Sequence, residues 1–191
     1  MVNISDLYTI YSLHPQITGI ARTLKKPSNK HLLITRCYGS ARALTIASVF
    51  QKSGRTMLVA MEDYERAAYM CRDLQVILPA DVYLFPTSHR LRQKSIDDSY
   101  IIQRTEVLSA VSGNNVRGCI IVTYPEALEE VCMSKTMLND SKLELTKGQT
   151  IQETDLVERL SSIGFNRVDF VYEPGQFAVR GGIVDIYSYS N

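Results

Sequence analysis

The chain has 191 residues, a length that allows one large domain or two small ones. Hydrophobic residues make up 45% of the sequence and charged residues 21%, which excludes a disordered or fibrous chain. The net charge is only +1, so any contact with DNA would need a local basic patch. Charge is distributed unevenly, because residues 1–135 hold 16 basic and 12 acidic residues whereas residues 136–191 hold 5 and 8. This asymmetry is a first indication of two structural units.

Neither a metal site nor a membrane segment is expected. The cysteines and histidines all lack a neighbour at the spacing of a zinc or redox motif. They are Cys37, Cys71, Cys119, Cys132, His14, His31 and His89. Reduced thiols in a cytoplasmic protein are therefore expected. No apolar stretch approaches the ~20 residues of a membrane span, and the N-terminus lacks a signal pattern, so no membrane partner is expected.

Residues 1–30 are predicted to form a helical extension. Two short helices are expected, and Pro15 suits the first turn of the second one. Ile17, Ile20, Ala21 and Leu24 then follow the spacing of an amphipathic helix. A polar linker over 25–30 ends this extension.

Residues 31–135 are predicted to form an α/β domain. Four continuous apolar runs, typical of strands buried on both faces, lie at 31–36, 56–61, 82–85 and 118–124. Helical patterns separate them at 41–51, at 63–78 and in a segment that stops at Gly113, and Pro125 opens a further short helix. This alternation favours βαβ units, and hence an open parallel sheet with helices on both faces.

Residues 136–191 have a different pattern and are predicted to form a small α+β domain. A strand is expected at 142–146, followed by a helix that begins with a capping box at 150–153 and ends at Gly164. Three extended pieces at 168–172, 176–180 and 183–187, separated by Pro-Gly and Gly-Gly pairs, predict an antiparallel sheet. The sequence stops just after a strand, so we expect this domain to be truncated at its C-terminal end.

The loop after the first predicted strand has the context of a phosphate-binding loop but not its residues. The pattern G-x-x-x-x-G-K-[ST] would place glycines at positions 36 and 41, lysine at 42 and a hydroxyl at 43. The loop instead contains Arg36, Gly39, Ser40, Ala41, Arg42 and Ala43. A structural remnant without catalysis or cofactor is expected, and residual nucleotide binding is the alternative.

Three segments resemble the N-terminal region of bacterial transcription-repair coupling factors. They are 39–43 (GSARA), 123–128 (TYPEAL) and, longest and most specific, 165–186 (FNRVDFVYEPGQFAVRGGIVDI). That region is similar to excinuclease UvrB. The resemblance covers about residues 31–191 and implies a degenerate helicase-like domain, without its ATP site, that carries a small inserted domain.

The resemblance also implies a partner and a site. The family uses the small domain to dock excinuclease UvrA, and the arginine of its Phe-Ala-x-Arg-Gly motif, here Phe177 to Gly181, corresponds to Arg180. Arg180 and Phe177 are therefore the predicted partner-binding residues, and an internal ion pair of Arg180 with Asp169, Glu173 or Asp185 is the alternative. RNA polymerase and DNA would be bound by parts of the longer protein that are not present here.

A short basic loop follows the third predicted strand. It contains His89, Arg90, Arg92 and Lys94, without interleaved aromatic residues for base stacking. A solvated loop is expected, with weak DNA contact as the alternative.

The function expected from the sequence is therefore a non-catalytic docking fragment that links stalled RNA polymerase to nucleotide excision repair. The alternative is a nucleotide- or small-ligand-binding α/β domain with an atypical phosphate loop.

Overall fold

The computed structural model describes residues 3–25, 31–79, 82–88, 98–112 and 118–189. The chain divides into two compact units. Unit 1 comprises Met1–Thr87 and Gly113–Glu130, and unit 2 comprises Ser88–Ser112 and Val131–Asn191. The helix before Gly113 thus falls in unit 2, although the sequence analysis placed it in the 31–135 domain. The boundaries near residues 30 and 135 stay predictions.

The described helices and strands are as follows. The helices are α1 (Ile4–Leu13), α2 (Pro15–Lys25), α3 (Ala41–Ser53), α4 (Tyr64–Ile77), α5 (Asp98–Ser112), α6 (Pro125–Glu129), α7 (Lys135–Asp140) and α8 (Glu153–Ser162). The strands are β1 (Met57–Ala60), β2 (Val82–Leu84), β3 (Ile120–Thr123), β4 (Asn166–Arg167), β5 (Gln176–Arg180) and β6 (Ile183–Tyr187). None of these helices, which cover only the described residues, is long and apolar enough to cross a membrane.

Unit 1 contains a parallel three-stranded sheet in the order β1-β3-β2. The central strand β3 is buried along its whole length, with Ile120 and Val122 fully enclosed. This burial matches the continuous apolar run from which the strand was predicted. The predicted fold class, a parallel α/β sheet flanked by helices with a smaller second sheet, is confirmed.

The predicted first strand is wrong. Residues 31–35 form no strand, and Leu32, Leu33 and Ile34 are exposed. Immediately afterwards, Arg36 adopts a φ of 60°, a left-handed conformation that interrupts an extended chain. An apolar run favours a strand, but a strand forms only where a neighbouring strand lies close enough to pair with it.

The N-terminal helices of unit 1 form as predicted and pack against α3. Ile17 and Ala21 of α2 are buried against Val49 of α3, and Tyr11 and Ile20 pack around them. The i, i+3, i+4 spacing therefore identified the correct face of α2.

Unit 2 has a mixed three-stranded sheet in the order β4-β5-β6. β5 and β6 are antiparallel, as predicted, and the Gly181-Gly182 turn with φ values of 55° and 83° joins them. β4 pairs with β5 in parallel, so the fully antiparallel prediction is wrong for this pair. The extended piece predicted at 168–172 is a loop, because the chain turns back there to bring β5 alongside β4 in the same direction.

Two further local predictions in unit 2 are wrong. Residues 142–146 form no strand; their apolar alternation instead lets Leu143 pack against the core of the unit. The capping box does not form, because α8 begins after Gln152, two residues beyond the threonine that would have served as N-cap. The face of α8 is as expected, since Leu156 and Leu160 are buried.

Candidate docking surface around Arg180

The β5–β6 hairpin presents Arg180 at the surface of unit 2. Phe177 and Ala178 of β5 are buried, whereas Arg180, at the end of the strand, has an exposed side chain. The tight two-glycine turn follows Arg180 directly, so the hairpin fixes the backbone from which the guanidinium projects.

Arg180 forms an ion pair with Asp185 of β6. In the β5–β6 register Asp185 lies opposite Ala178, so the pair joins diagonal neighbours on one face of the hairpin. The two side chains are 54% and 41% exposed, and an ion pair so open to water contributes little to stability. The internal pairing considered for Arg180 is thus present, with Asp185 rather than Asp169 or Glu173. It leaves much of the guanidinium accessible.

Exposed aromatic residues lie close to this arginine. The Arg180 guanidinium carbon is 5.4 Å from the centroid of the Phe170 ring, which is within the range of a cation–π contact. Phe170 and its neighbour Tyr172 are 57% and 77% exposed. Arg167, Phe170 and Arg180 border a groove of about 560 Å³. Together with Tyr172 and Asp185, these three residues form a surface that we call the Arg180 patch.

The loop that carries the two aromatic side chains is held by hydrogen bonds. The Gln176 side-chain oxygen accepts bonds from the backbone N–H groups of Tyr172 and Glu173 at 3.0 and 3.2 Å. The Gln176 amide nitrogen also donates to the Glu173 carboxylate at 3.3 Å. Since Gln176 is the first residue of β5, these bonds fix the loop to the strand that carries Arg180. The Arg180 patch is therefore largely preformed.

The other predicted partner-binding residue lies in the core. Phe177 is fully buried and packs with Leu156 and Leu160 of α8. A side chain without accessible surface cannot meet a partner unless the unit opens. Burial therefore argues against direct contact by Phe177 and gives it the role of supporting β5. Sequence analysis missed Arg167 and Phe170, although both lie in the segment that carried the resemblance.

The degenerate phosphate loop of unit 1 is closed on itself. The N–H groups of Ala41 and Arg42 donate to the carbonyl oxygens of Tyr38 and Gly39 at 3.2 and 3.1 Å. The Arg42 side chain turns back and donates through Nε to the carbonyl oxygen of Cys37 at 3.2 Å. These bonds use two backbone N–H groups at the start of α3 and the side chain of Arg42, which lies where a phosphate-binding loop has its lysine.

The remaining loop residues complete this arrangement. Ser40 is exposed and makes no side-chain capping bond to α3, whereas Ala43 is buried. Arg36 and Gly39 both have positive φ values. The predicted basic loop, His89, Arg90, Arg92 and Lys94, lies outside the described residues.

Side chains fill the carboxyl edge of the parallel sheet in unit 1. The Tyr124 ring is 1% exposed, and its hydroxyl accepts a hydrogen bond from the Thr87 N–H at 2.9 Å. The Thr87 hydroxyl lies 3.1 Å from the same oxygen. Thr123 donates to the carbonyl oxygen of Phe85 at 2.9 Å. Open α/β sheets bind ligands at this edge, so buried side chains there count against a ligand site of the usual kind.

Comparison with known proteins gives these surfaces a context. Residues 143–191 match the family model described as the UvrB interaction domain, and this segment contains the entire Arg180 patch. A transcription-repair-coupling factor from Staphylococcus haemolyticus is 27% identical over 162 residues, or 83% of this chain. One from Bacillus subtilis is 26% identical over 161 residues, again 83% of this chain. The chain resembles the N-terminal region of transcription-repair coupling factor. The resemblance inferred from the sequence is thus confirmed.

The relation extends to a second protein of DNA repair. UvrABC system protein B from Aliivibrio fischeri is 22% identical over 171 residues, which is 82% of this chain and 25% of that protein. The chain spans 14% of the length of the coupling factors it matches.

Proposed function

We propose that this chain is a docking module that binds excinuclease UvrA through the Arg180 patch of unit 2. The observation that carries the proposal is that the match to the UvrB interaction domain family coincides with a preformed, exposed basic and aromatic surface. In a longer protein of the coupling-factor type, the module would bring excision repair to a stalled RNA polymerase. RNA polymerase and DNA would then be bound chiefly by other parts of that protein.

The geometry of Arg180 suits this role. Its ion pair with Asp185 is exposed, so exchanging that carboxylate for a partner's carboxylate costs little. Docking would remove water from the pair and from the Phe170 ring, and charge-assisted bonds and cation–π contacts strengthen when they are desolvated. Arginine and aromatic residues are also the side chains most enriched at interface hot spots.

We also propose that the module neither hydrolyses ATP nor needs a cofactor. Two observations support this: the loop before α3 uses its own amides and Arg42 internally, and Tyr124 fills the carboxyl edge of the sheet. The same observations count against the alternative of a nucleotide- or small-ligand-binding domain. Calorimetric titration with Mg-ATP and a phosphate-release assay test this proposal. Micromolar binding or sustained turnover would contradict it.

Titration against purified excinuclease UvrA tests the docking proposal. Truncation of a central interface arginine typically costs about 2 kcal/mol or more, so Arg180→Ala should weaken binding by roughly 30-fold or more. Because the ion pair of Arg180 is exposed, the same variant should unfold within about 1 kcal/mol of the wild type. A large loss of affinity without a loss of stability is the expected signature.

Two matched variants complete this experiment. Arg42→Ala removes an arginine of the loop before α3 and should leave docking unchanged. Asp185→Ala removes the internal partner of Arg180 and should preserve or strengthen docking, because the guanidinium no longer has to leave a carboxylate. Equal binding by the wild type and a folded Arg180→Ala variant would refute the role of Arg180. Loss of binding in Arg42→Ala alone would move the interface to unit 1.

A further inference from the structure

The first 55 residues of the chain, which include α1, α2 and α3, carry an unbalanced positive charge. Residues 1–55 contain eight basic residues and one acidic residue, Asp6, whereas the whole chain has a net charge of only +1. Charges of one sign that crowd together repel one another and raise the local concentration of anions. The composition of this segment therefore favours contact with a polyanion.

Three of these cations border one cleft on the surface of unit 1. Arg22 and Lys25 lie in the last turn of α2, and Lys52 lies in the last turn of α3. Together they line a shallow cleft of about 270 Å³, which we call the basic cleft. The two helix ends are held together by Arg55, whose Nη1 donates to the carbonyl oxygen of Leu24 at 2.6 Å. The cations are thus brought together by the fold, although residues 25 and 52 are far apart in the sequence.

The cations of the basic cleft are available to a ligand. Within residues 3–25, 31–79, 82–88, 98–112 and 118–189, no carboxylate lies within ion-pair distance of Arg22, Lys25 or Lys52. Arg22 and Lys25 are exposed and Lys52 is half-buried. Cations also stabilise helix C-termini, so a purely structural role is the competing explanation for their position.

We propose that the basic cleft binds the phosphate backbone of duplex DNA without reading its sequence. Among the residues that the structure describes, the lining includes three cations but no exposed side chain of an apolar residue, and a protein partner would need an apolar anchor. The same described residues include no aromatic ring, on which a single strand would stack its bases. Phosphate contact is then the main interaction, and it releases counterions from the duplex. This surface belongs to unit 1 and does not depend on the docking function proposed for unit 2.

The test is fluorescence anisotropy of the whole chain with a short labelled duplex over a range of salt concentrations. Three phosphate contacts predict that the logarithm of the binding constant falls with the logarithm of the salt concentration with a slope of about −2.7 or steeper. Binding should therefore weaken roughly 40-fold when salt rises from about 50 to 200 mM. Arg22→Gln/Lys25→Gln/Lys52→Gln should bind at least tenfold more weakly at the lower salt and lose about 2.7 of this slope. The single variant Lys25→Gln should lose about 0.9 of it.

A charge-matched control separates the cleft from the net charge. Arg72→Gln/Lys135→Gln/Lys147→Gln removes three exposed cations elsewhere and should keep most of the affinity and the slope. If the cleft variant and this control bind DNA alike, the proposal is overturned. It is also overturned if the wild type shows no binding near 50 mM salt at about 100 µM protein. A cleft variant that loses thermal stability but keeps DNA affinity would establish the structural role instead.

Discussion

The role of Phe177 gives the sharpest test of how unit 2 is built. Phe177 of β5 is fully buried against α8, so truncation removes a whole aromatic side chain from a small core. Replacement of a buried phenylalanine by alanine typically costs about 3–5 kcal/mol. In a domain of roughly 60 to 100 residues, each kcal/mol lowers the melting temperature by about 4–8 °C. Phe177→Ala should therefore lower the melting transition of unit 2 by at least about 12 °C.

The conservative substitution at the same position separates support from contact. Phe177→Leu keeps an apolar side chain in the core and should cost about 1 kcal/mol, so unit 2 stays folded. If Phe177 only supports β5, this variant should bind excinuclease UvrA as the wild type does.

Thermal denaturation followed by circular dichroism, together with the docking titration, measures both effects; the chain contains no tryptophan to serve as a fluorescent probe. A folded Phe177→Leu variant with a large loss of affinity would show that Phe177 meets the partner directly. A Phe177→Ala variant that melts within about 4 °C of the wild type would refute the burial argument.

Two further predictions concern unit 1. Tyr124→Phe removes the hydroxyl that accepts the Thr87 N–H bond, and the loss of this buried hydrogen bond should lower the free energy of unfolding in urea by about 0.5–1.5 kcal/mol; a change below about 0.3 kcal/mol would contradict its role at the sheet edge. Burial raises the pKa of the Cys71 thiol to about 11, so Cys71 should resist alkylation near pH 8 in the native chain while the exposed Cys132 reacts. Because this pKa is raised on folding, the stability that Cys71 contributes should be complete below about pH 9 and be lost as the pH rises towards 11, a dependence that Cys71→Ala removes.

The features that could be predicted from the sequence are those set by local patterns. The apolar run at 118–124 identified a strand buried on both faces, and the spacing of Ile17 and Ala21 identified the packed face of α2. The Gly181-Gly182 pair likewise identified the turn of the hairpin, because both residues need a positive φ.

The features that were missed depend on contacts between distant segments. Residues 31–36 have a strand composition, but the left-handed Arg36 ends the run and none of the described strands pairs with it. The parallel pairing of β4 with β5 depends on the path of the intervening loop, which no local pattern specifies. That path also brings Phe170 beside Arg180, so the sequence could identify the arginine but not the patch around it.

Amide hydrogen exchange would show whether unit 2 docks excinuclease UvrA through the β5–β6 hairpin. Exchange would be measured by mass spectrometry on the whole chain, alone and with saturating excinuclease UvrA. If the hairpin docks the partner, exchange should be slower in the complex at residues 167–172 and 176–187, with no change over 36–53. Protection confined to the loop before α3 and to α3 itself, with the hairpin exchanging as in the free chain, would contradict it.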